Sequence, residues 1–341
     1  MRKYLESKPL NNGLWTYDTI YHKGWIFSIR EPVSVVTDSG TEMVPSTIIY
    51  KRSVEGSRTT PLFEGQFSKD IHEYGKASYY SDVKELSNYI INDPYGETHL
   101  FAVPMNDRNS GWKTFSSEEA FEKIIENGSQ LSSILQRIRD FFSAIKFGLL
   151  GSYSLFMNTE TSDIDVTVEG GENFHFVTTS LKDRIIQKEL LLSPLPDWRQ
   201  QKSIENYQRK FKIDVKKATY INNLRNRYIT MNDKGEHFQV SFSGSSFIKG
   251  HYQFPKVLGS KKIKKVKVYG TLIDAKNSSS FPREYITCIN GESISVVSML
   301  WSLRSMAVEG DKLLILGTLR EQNGSYFISL EDAGDIILPE I

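Results

Sequence analysis

The chain has one cysteine, Cys288, in 341 residues. An internal disulfide is therefore excluded, and a zinc centre built on several cysteines goes with it. A lone cysteine of this kind reads as a core residue in a reducing compartment. No run approaches the roughly 20 apolar residues of a membrane-spanning helix. The opening Met1-Arg2-Lys3-Tyr4-Leu5-Glu6 lacks the apolar stretch of a secretory signal, so a cytoplasmic setting is expected. Charge of one sign is also missing. Lys and Arg number 42 and Asp and Glu 41, a net charge of +1, so no global field draws the protein to nucleic acid or to a membrane. No Rossmann glycine fingerprint, Walker loop, zinc-type Cys/His set or Gly-x-Ser-x-Gly elbow occurs. There is no internal repeat and no low-complexity tract.

What remains is enough for packed cores, at 39% hydrophobic and 12% aromatic residues. The length suits two or three domains, and three regions separate. Residues 1–115 are expected to form a small α+β domain. Strand-like runs Trp25-Ile26-Phe27-Ser28-Ile29 and Ser46-Thr47-Ile48-Ile49-Tyr50 are followed by a helix over 81–92, with Val83, Leu86, Tyr89 and Ile90 on one face. His22, His72 and His99 are scattered there as packing or surface residues. Residues 116–258 open with capping-box spacing, Ser116 and Glu119. Leu131, Ile134, Leu135, Ile138, Phe142 and Ile145 then recur at helical spacing, and a further helix is predicted near 181–191. Residues 259–341 hold five or so short strands, with Asn323-Gly324 as a hairpin turn signal. They predict a small OB-like β-barrel.

The most informative stretch is Phe147-Gly-Leu-Leu-Gly-Ser-Tyr through Asp163-Ile-Asp-Val-Thr-Val168. Gly151-Ser152 closes one apolar run, and Asp163-Ile164-Asp165 opens the next. Carboxylates at i and i+2 on a strand share a face, while Ile164, Val166 and Val168 turn the other way into a core. Two acids side by side repel, and a divalent cation relieves that repulsion. Lys210-Phe-Lys-Ile-Asp-Val-Lys216 alternates as a strand would and carries one more acid, Asp214. On that strand Lys212, Asp214 and Lys216 share a face.

An apolar strand ending in Gly-Ser, a short helix and an Asp-x-Asp strand resemble the signature of the DNA polymerase β-type nucleotidyltransferase superfamily. An early Lys23-Gly-Trp-Ile-Phe27 strand, the central Gly-Ser and Asp-x-Asp core, and a tail carrying Gly310-Asp-Lys-Leu313 and Gly317-Thr-Leu319 together resemble a group of archaeal predicted nucleotidyltransferases. The resemblance implies a multidomain α+β protein with a mixed-sheet nucleotidyltransferase core and an NMP transferred from a nucleoside triphosphate to an acceptor, with release of pyrophosphate. It implies Asp163, Asp165 and Asp214 as catalytic metal ligands for two Mg2+ (or Mn2+) ions, and Gly151 and Ser152 at the triphosphate. The superfamily often carries an Arg just after Gly-Ser. Here Tyr153-Ser-Leu-Phe-Met157 has no cation, so the phosphate charge needs partners elsewhere. Residues 182–230 hold twelve Lys or Arg against five Asp or Glu, and Lys212 and Lys216 are the candidate phosphate contacts.

The acceptor stays open between an RNA or other nucleic-acid end, a protein side chain and a small molecule. Lys261-Lys-Ile-Lys-Lys-Val-Lys267 is either a lysine-protected edge strand or one wall of a nucleic-acid groove. Tyr269, Phe281, Tyr285 and Trp301 are core residues or base-stacking platforms. A non-catalytic nucleic-acid-binding or regulatory protein on a degenerate core is the rival reading.

Overall fold

The computed structural model describes residues 2–341 except 11–13, 70–85, 106–111, 129–130, 161, 226, 232–236, 246–251 and 333. Among the described residues the first unit is built of strands: β1 (Arg2–Pro9), β2 (Thr19–His22), β3 (Trp25–Ile29), β4 (Val33–Thr37), β5 (Glu42–Arg52), β6 (Arg58–Thr60), β7 (Phe63–Lys69), β8 (Ile90–Asn92), β9 (His99–Pro104) and β10 (Lys113–Phe115). The long β5 organises them, pairing with β3, β4, β7 and β9. Ile20, Phe27, Ile29, Val44, Ile48 and Val103 make one core beneath it. Among the described residues strands dominate this expected α+β domain. Residues 81–85 of the predicted helix, and His72, lie outside the described residues. Leu86 is α-helical, and a short 3-10 turn, Ser87–Tyr89, then runs into β8. His22 is buried with its Nδ1 3.2 Å from the Tyr89 hydroxyl, and His99 Nδ1 lies 2.5 Å from Asn92 Oδ1.

The central unit starts at the helix Ser117–Glu126, where Ser116 accepts the N–H of Glu119 at 3.3 Å. Asp18 of the first unit also accepts the Ser117 N–H, at 2.9 Å. The helical stripe falls on the next helix, Ser132–Phe141, whose Ile134, Leu135 and Ile138 are buried, with Leu131 and Phe142 at its two caps and Ile145 beyond its end. The central sheet runs β11 (Phe147–Leu149), β12 (Ile164–Glu169), β15 (His237–Ser245), β14 (Arg227–Met231), β13 (Ser193–Pro194). Only β12 and β15 are parallel among these neighbours. The helix predicted near 181–191 is shorter, Arg184–Glu189, capped by Asp183.

The predicted strand over 210–216 is absent. A helix Asp197–Phe211 ends at Lys212 in the left-handed conformation (φ 53°, ψ 45°), and Asp214 caps a second helix, Val215–Leu224. Phe211 and Ile213 flank that turn and both pack on the barrel core, which produces a strand-like alternation without a strand.

The last unit comprises β16 (Lys261–Asp274), β17 (Arg283–Ile289), β18 (Glu292–Ser298), β19 (Lys312–Gln322), β20 (Ser325–Leu330) and β21 (Ile336–Pro339). The pairing β16-β17-β18-β20-β19 returns to β16, and β18 and β20 run parallel. This is a small closed five-stranded barrel of OB-like kind, with β21 added on β19. Its β19–β20 hairpin turns at Asn323 (φ 52°) and Gly324 (φ 79°), the positive angles that a two-residue turn requires. The helices Asp197–Phe211 and Val215–Leu224 complete the barrel's core through Ile204, Tyr207, Ala218 and Ile221. Buried Arg320 joins the units by pairing with Glu331 at 2.9 Å and donating to Thr98 Oγ1 at 2.5 Å. No helix among the described residues is long and apolar enough to cross a membrane.

Candidate functional site

Sequence places the Gly-Ser turn and the Asp pair against each other through the sheet. Beyond β11, the Leu150 N–H donates to the Asp165 carbonyl at 2.9 Å. Gly151 then adopts φ +63°, a conformation that favours glycine, and no atom lies within 4 Å of where its Cβ would be. The space before the turn is open. A single helical turn, Gly151–Ser154, follows, and the Met157 N–H donates to the Ser152 carbonyl. On β12, Ile164, Val166 and Val168 are buried in the central core and Asp165 faces the other way, as the alternation requires.

The two acids have unlike surroundings. Ser241 on β15 donates its hydroxyl to Asp165 Oδ1. Gln239 Nε2 lies 3.5 Å from Asp163 Oδ2. Burial raises the Asp163 carboxyl above its ordinary value, and the neighbouring Asp165 raises it further. Arg227, Arg199 and Lys69 act in the opposite direction.

Gly151, Ser152, Asp163 and Asp165 line one cavity of about 370 Å³. The first unit supplies Arg30, Arg58 and Lys69 to its wall, and Phe281, Met299 and Trp301 come from the last. Arg30 donates from Nε to Thr47 Oγ1 at 2.7 Å and stacks on Phe281 (4.6 Å) and Trp301 (4.9 Å). Burial lowers its pKa to about 10, which leaves it a cation at neutral pH. Arg58 Nη1 donates to the Met157 carbonyl at 2.7 Å and to Ser162 Oγ at 3.3 Å, holding the segment that leads into Asp163. Behind the rings, Arg283 is fully buried, and none of its three side-chain nitrogens has a hydrogen-bond partner among the described residues. Arg304 donates to Ser243 Oγ at 2.6 Å and is attracted by Asp165. The cavity is thus acidic at one spot and cationic around it, which suits a polyanion carrying a metal ion.

Of the residues singled out in the sequence, Gly151, Ser152, Asp163 and Asp165 come together. Asp214, Lys212 and Lys216 do not line this cavity. Asp214 is exposed at a helix N-terminus and accepts the Lys217 N–H at 2.8 Å, while Lys212 and Lys216 are exposed beside it. The strand next to the Asp pair is β15, and Ser241 and Gln239 occupy the positions that reach the acids. Phe281 and Trp301 line the cavity, whereas Tyr285 is core and Tyr269 is exposed. Arg30, Arg58 and Lys69 carry no local motif. The only sign in the sequence is a charged residue directly after the apolar run of β3.

Among the described residues, no group of three or more His, Cys, Asp or Glu side chains stands ready to hold a metal ion. Mg2+ is commonly bound by one or two carboxylates with phosphate oxygens and water completing its shell. Asp163 and Asp165 fit that donor set for an ion arriving with a triphosphate. No protein-family model, curated protein or solved structure matches the chain.

Proposed function

We propose that the protein is a metal-dependent nucleotidyltransferase that binds a nucleoside triphosphate in this cavity and passes its NMP to an acceptor, releasing pyrophosphate. One observation carries the reading: a single cavity joins the Gly151-Ser152 turn, the Asp163/Asp165 pair and the cations Arg30, Arg58 and Lys69. Phosphoryl chemistry of this kind depends on placement and charge neutralisation more than on covalent help from the protein. Asp163 and Asp165 would hold a divalent ion, which supplies charge neutralisation at the phosphates when bound. The open backbone at Gly151 would admit a phosphate, and the Ser152 hydroxyl, on the cavity lining, would donate to it. Arg30, Arg58 and Lys69 take over the anion-binding role that the sequence pattern assigns to Lys212 and Lys216. The rings of Phe281 and Trp301, tilted at 46° to each other, give the cavity an aromatic wall.

The test is incubation of the protein with each labelled triphosphate, Mg2+ or Mn2+, and total cellular RNA and protein. Label in RNA identifies a nucleic-acid acceptor, and label in protein a protein-modifying enzyme. Absence of both label and pyrophosphate release with every triphosphate rejects transfer.

A second reading is favoured by Ser241 and Gln239, which stand where a third carboxylate would lie, and by Asp214, whose carboxylate caps a helix. It is a regulatory protein that binds the triphosphate without turning it over. It predicts saturable triphosphate binding with no pyrophosphate.

A further inference from the structure

Resting on the nucleotidyl-transfer reading above, we infer that the site holds one divalent ion rather than two, and that Arg227 supplies the charge a second ion would bring. The register of the central sheet carries this. Asp165 on β12 stands opposite Ser241 on β15, and Ser241 stands opposite Arg227 on β14. Directly opposed residues share a face of a sheet. The row therefore reads acid, hydroxyl, guanidinium. One step along the strands, Gln239 lies beside Asp163. Neither residue of β15 that reaches the acids is an anion, and the Ser241 hydroxyl is already donated to Asp165.

A second Mg2+ needs its own near-octahedral shell of oxygens at about 2.1 Å, and usually a carboxylate that it does not share. Among the described residues, β15 and β14 offer it none beside the acids. What they offer is Arg227, which attracts Asp163 and whose Nε is buried with no hydrogen-bond partner among the described residues. Charge points the same way. Arg227, Arg199 and Lys69 attract Asp163, and Arg304 attracts Asp165. The chain therefore already surrounds the acids with cations, and a second dication adds to a positive excess that a low-dielectric cavity disfavours.

The experiment counts metal. Mn2+ retained per chain is measured by equilibrium dialysis and electron paramagnetic resonance, with a non-hydrolysable triphosphate analogue at saturation. The wild-type protein is expected to retain one Mn2+. Ser241→Asp, which restores an acid beside Asp165, is expected to retain two. Gln239→Asp, at a less buried position, is the companion variant should Ser241→Asp fail to fold. Two Mn2+ in the wild type overturn this inference and leave the nucleotidyltransferase reading standing. One Mn2+ in every folded variant overturns the assignment to β15. No Mn2+ in the wild type overturns both the inference and the reading beneath it.

Discussion

Ser241 on β15 stands across the parallel ladder from Asp165 on β12 and donates its hydroxyl to the Asp165 carboxylate. The contact separates the roles of two acids that sequence spacing makes look equivalent. Asp165 has a hydrogen-bond donor, and it attracts the buried Arg304. Asp163 is the acid whose charged form the fold disfavours, through burial and through Asp165.

Replacement of the two acids should therefore have opposite effects on the metal-free protein. A raised folded-state pKa means that Asp163's contribution to stability is fully present below its ordinary value of 3.8 and is lost as pH rises through the folded value. Asp163→Asn should hold or raise neutral-pH stability in a chelator and remove that slope. Asp165→Ala should lower stability by about 1.5–3 kcal/mol, the range for a hydrogen bond to a charged group, since the Ser241 hydroxyl loses its acceptor and the buried Arg304 loses a nearby anion. Both should abolish metal-dependent triphosphate binding. Urea titrations with and without metal check this. Unfolding of both variants would make the acids structural partners and end the functional reading of them.

Anion binding should follow the cavity and not the basic segment of the sequence. Arg58→Gln and Lys69→Ala should each weaken triphosphate binding by about 10-fold or more, as removal of a charge-assisted hydrogen bond does. Lys212→Ala and Lys216→Ala should leave it unchanged, because both side chains are exposed beside Asp214 and outside the cavity. Calorimetric titration with a triphosphate analogue decides the matter. A weakening at Lys212 equal to that at Lys69 would return the anion site to the helix turn.

What was legible in the sequence was local. The Gly-Ser turn and the Asp-x-Asp strand follow from period-two alternation and a glycine needing positive φ. The barrel was announced by short alternating runs and Asn323-Gly324. The third acid misled because Lys210–Lys216 alternates for another reason. Phe211 closes a helical stripe with Ile204 and Tyr207 at i, i+3 and i+7, and Ile213 meets the same core across a left-handed residue. The stripe, and an Asp directly before a helix-forming run, were signals for a helix–turn–helix. The cations of the cavity were out of reach. Arg30 and Asp163 are brought together by packing between units, which no local pattern records.

Glu31 should make the protein less stable in alkali. It is buried beside Arg30 and accepts the N–H groups of Gln253 at 2.5 Å and Phe254 at 3.1 Å, at the start of the helix Gln253–Leu258. Burial raises its pKa from 4.5 to about 8, against those hydrogen bonds. Its contribution is fully present below 4.5 and is lost as pH rises through about 8. Unfolding free energy should accordingly decline from about pH 5 to about pH 9. Glu31→Ala should flatten the decline while lowering stability at the acid end, because it removes the two hydrogen bonds that Glu31 accepts from Gln253 and Phe254. An unchanged slope in the variant would place the titration on another group.

The lysine run of β16 separates into two functions. Lys262 Nζ donates to the Glu97 carbonyl at 3.1 Å, and Lys265 pairs with Asp332 at 2.5 Å and Asp335 at 2.8 Å. Lys261, Lys264 and Lys267 are exposed. Pairing with β19 covers one side of 261–271, and pairing with β17 begins only at Thr271, so among the described residues no strand pairs the other side before Thr271. If the acceptor is RNA or DNA, these three lysines are the ones free to meet phosphates. Replacing Lys261, Lys264 and Lys267 together with Ser should then flatten the dependence of log affinity on log salt by up to about 0.9 for each phosphate no longer neutralised. Triphosphate binding at Ser152 should not change, since none of the three lines the cavity. Lys265→Ser should act differently, lowering stability because Asp335, nearly buried, is left without its cation. Affinity measured over a range of salt with single-stranded RNA and DNA reads all of this. An affinity that ignores salt, or none for either nucleic acid, would assign the acceptor to a protein or a small molecule and leave the barrel the task of closing the cavity with Phe281 and Trp301.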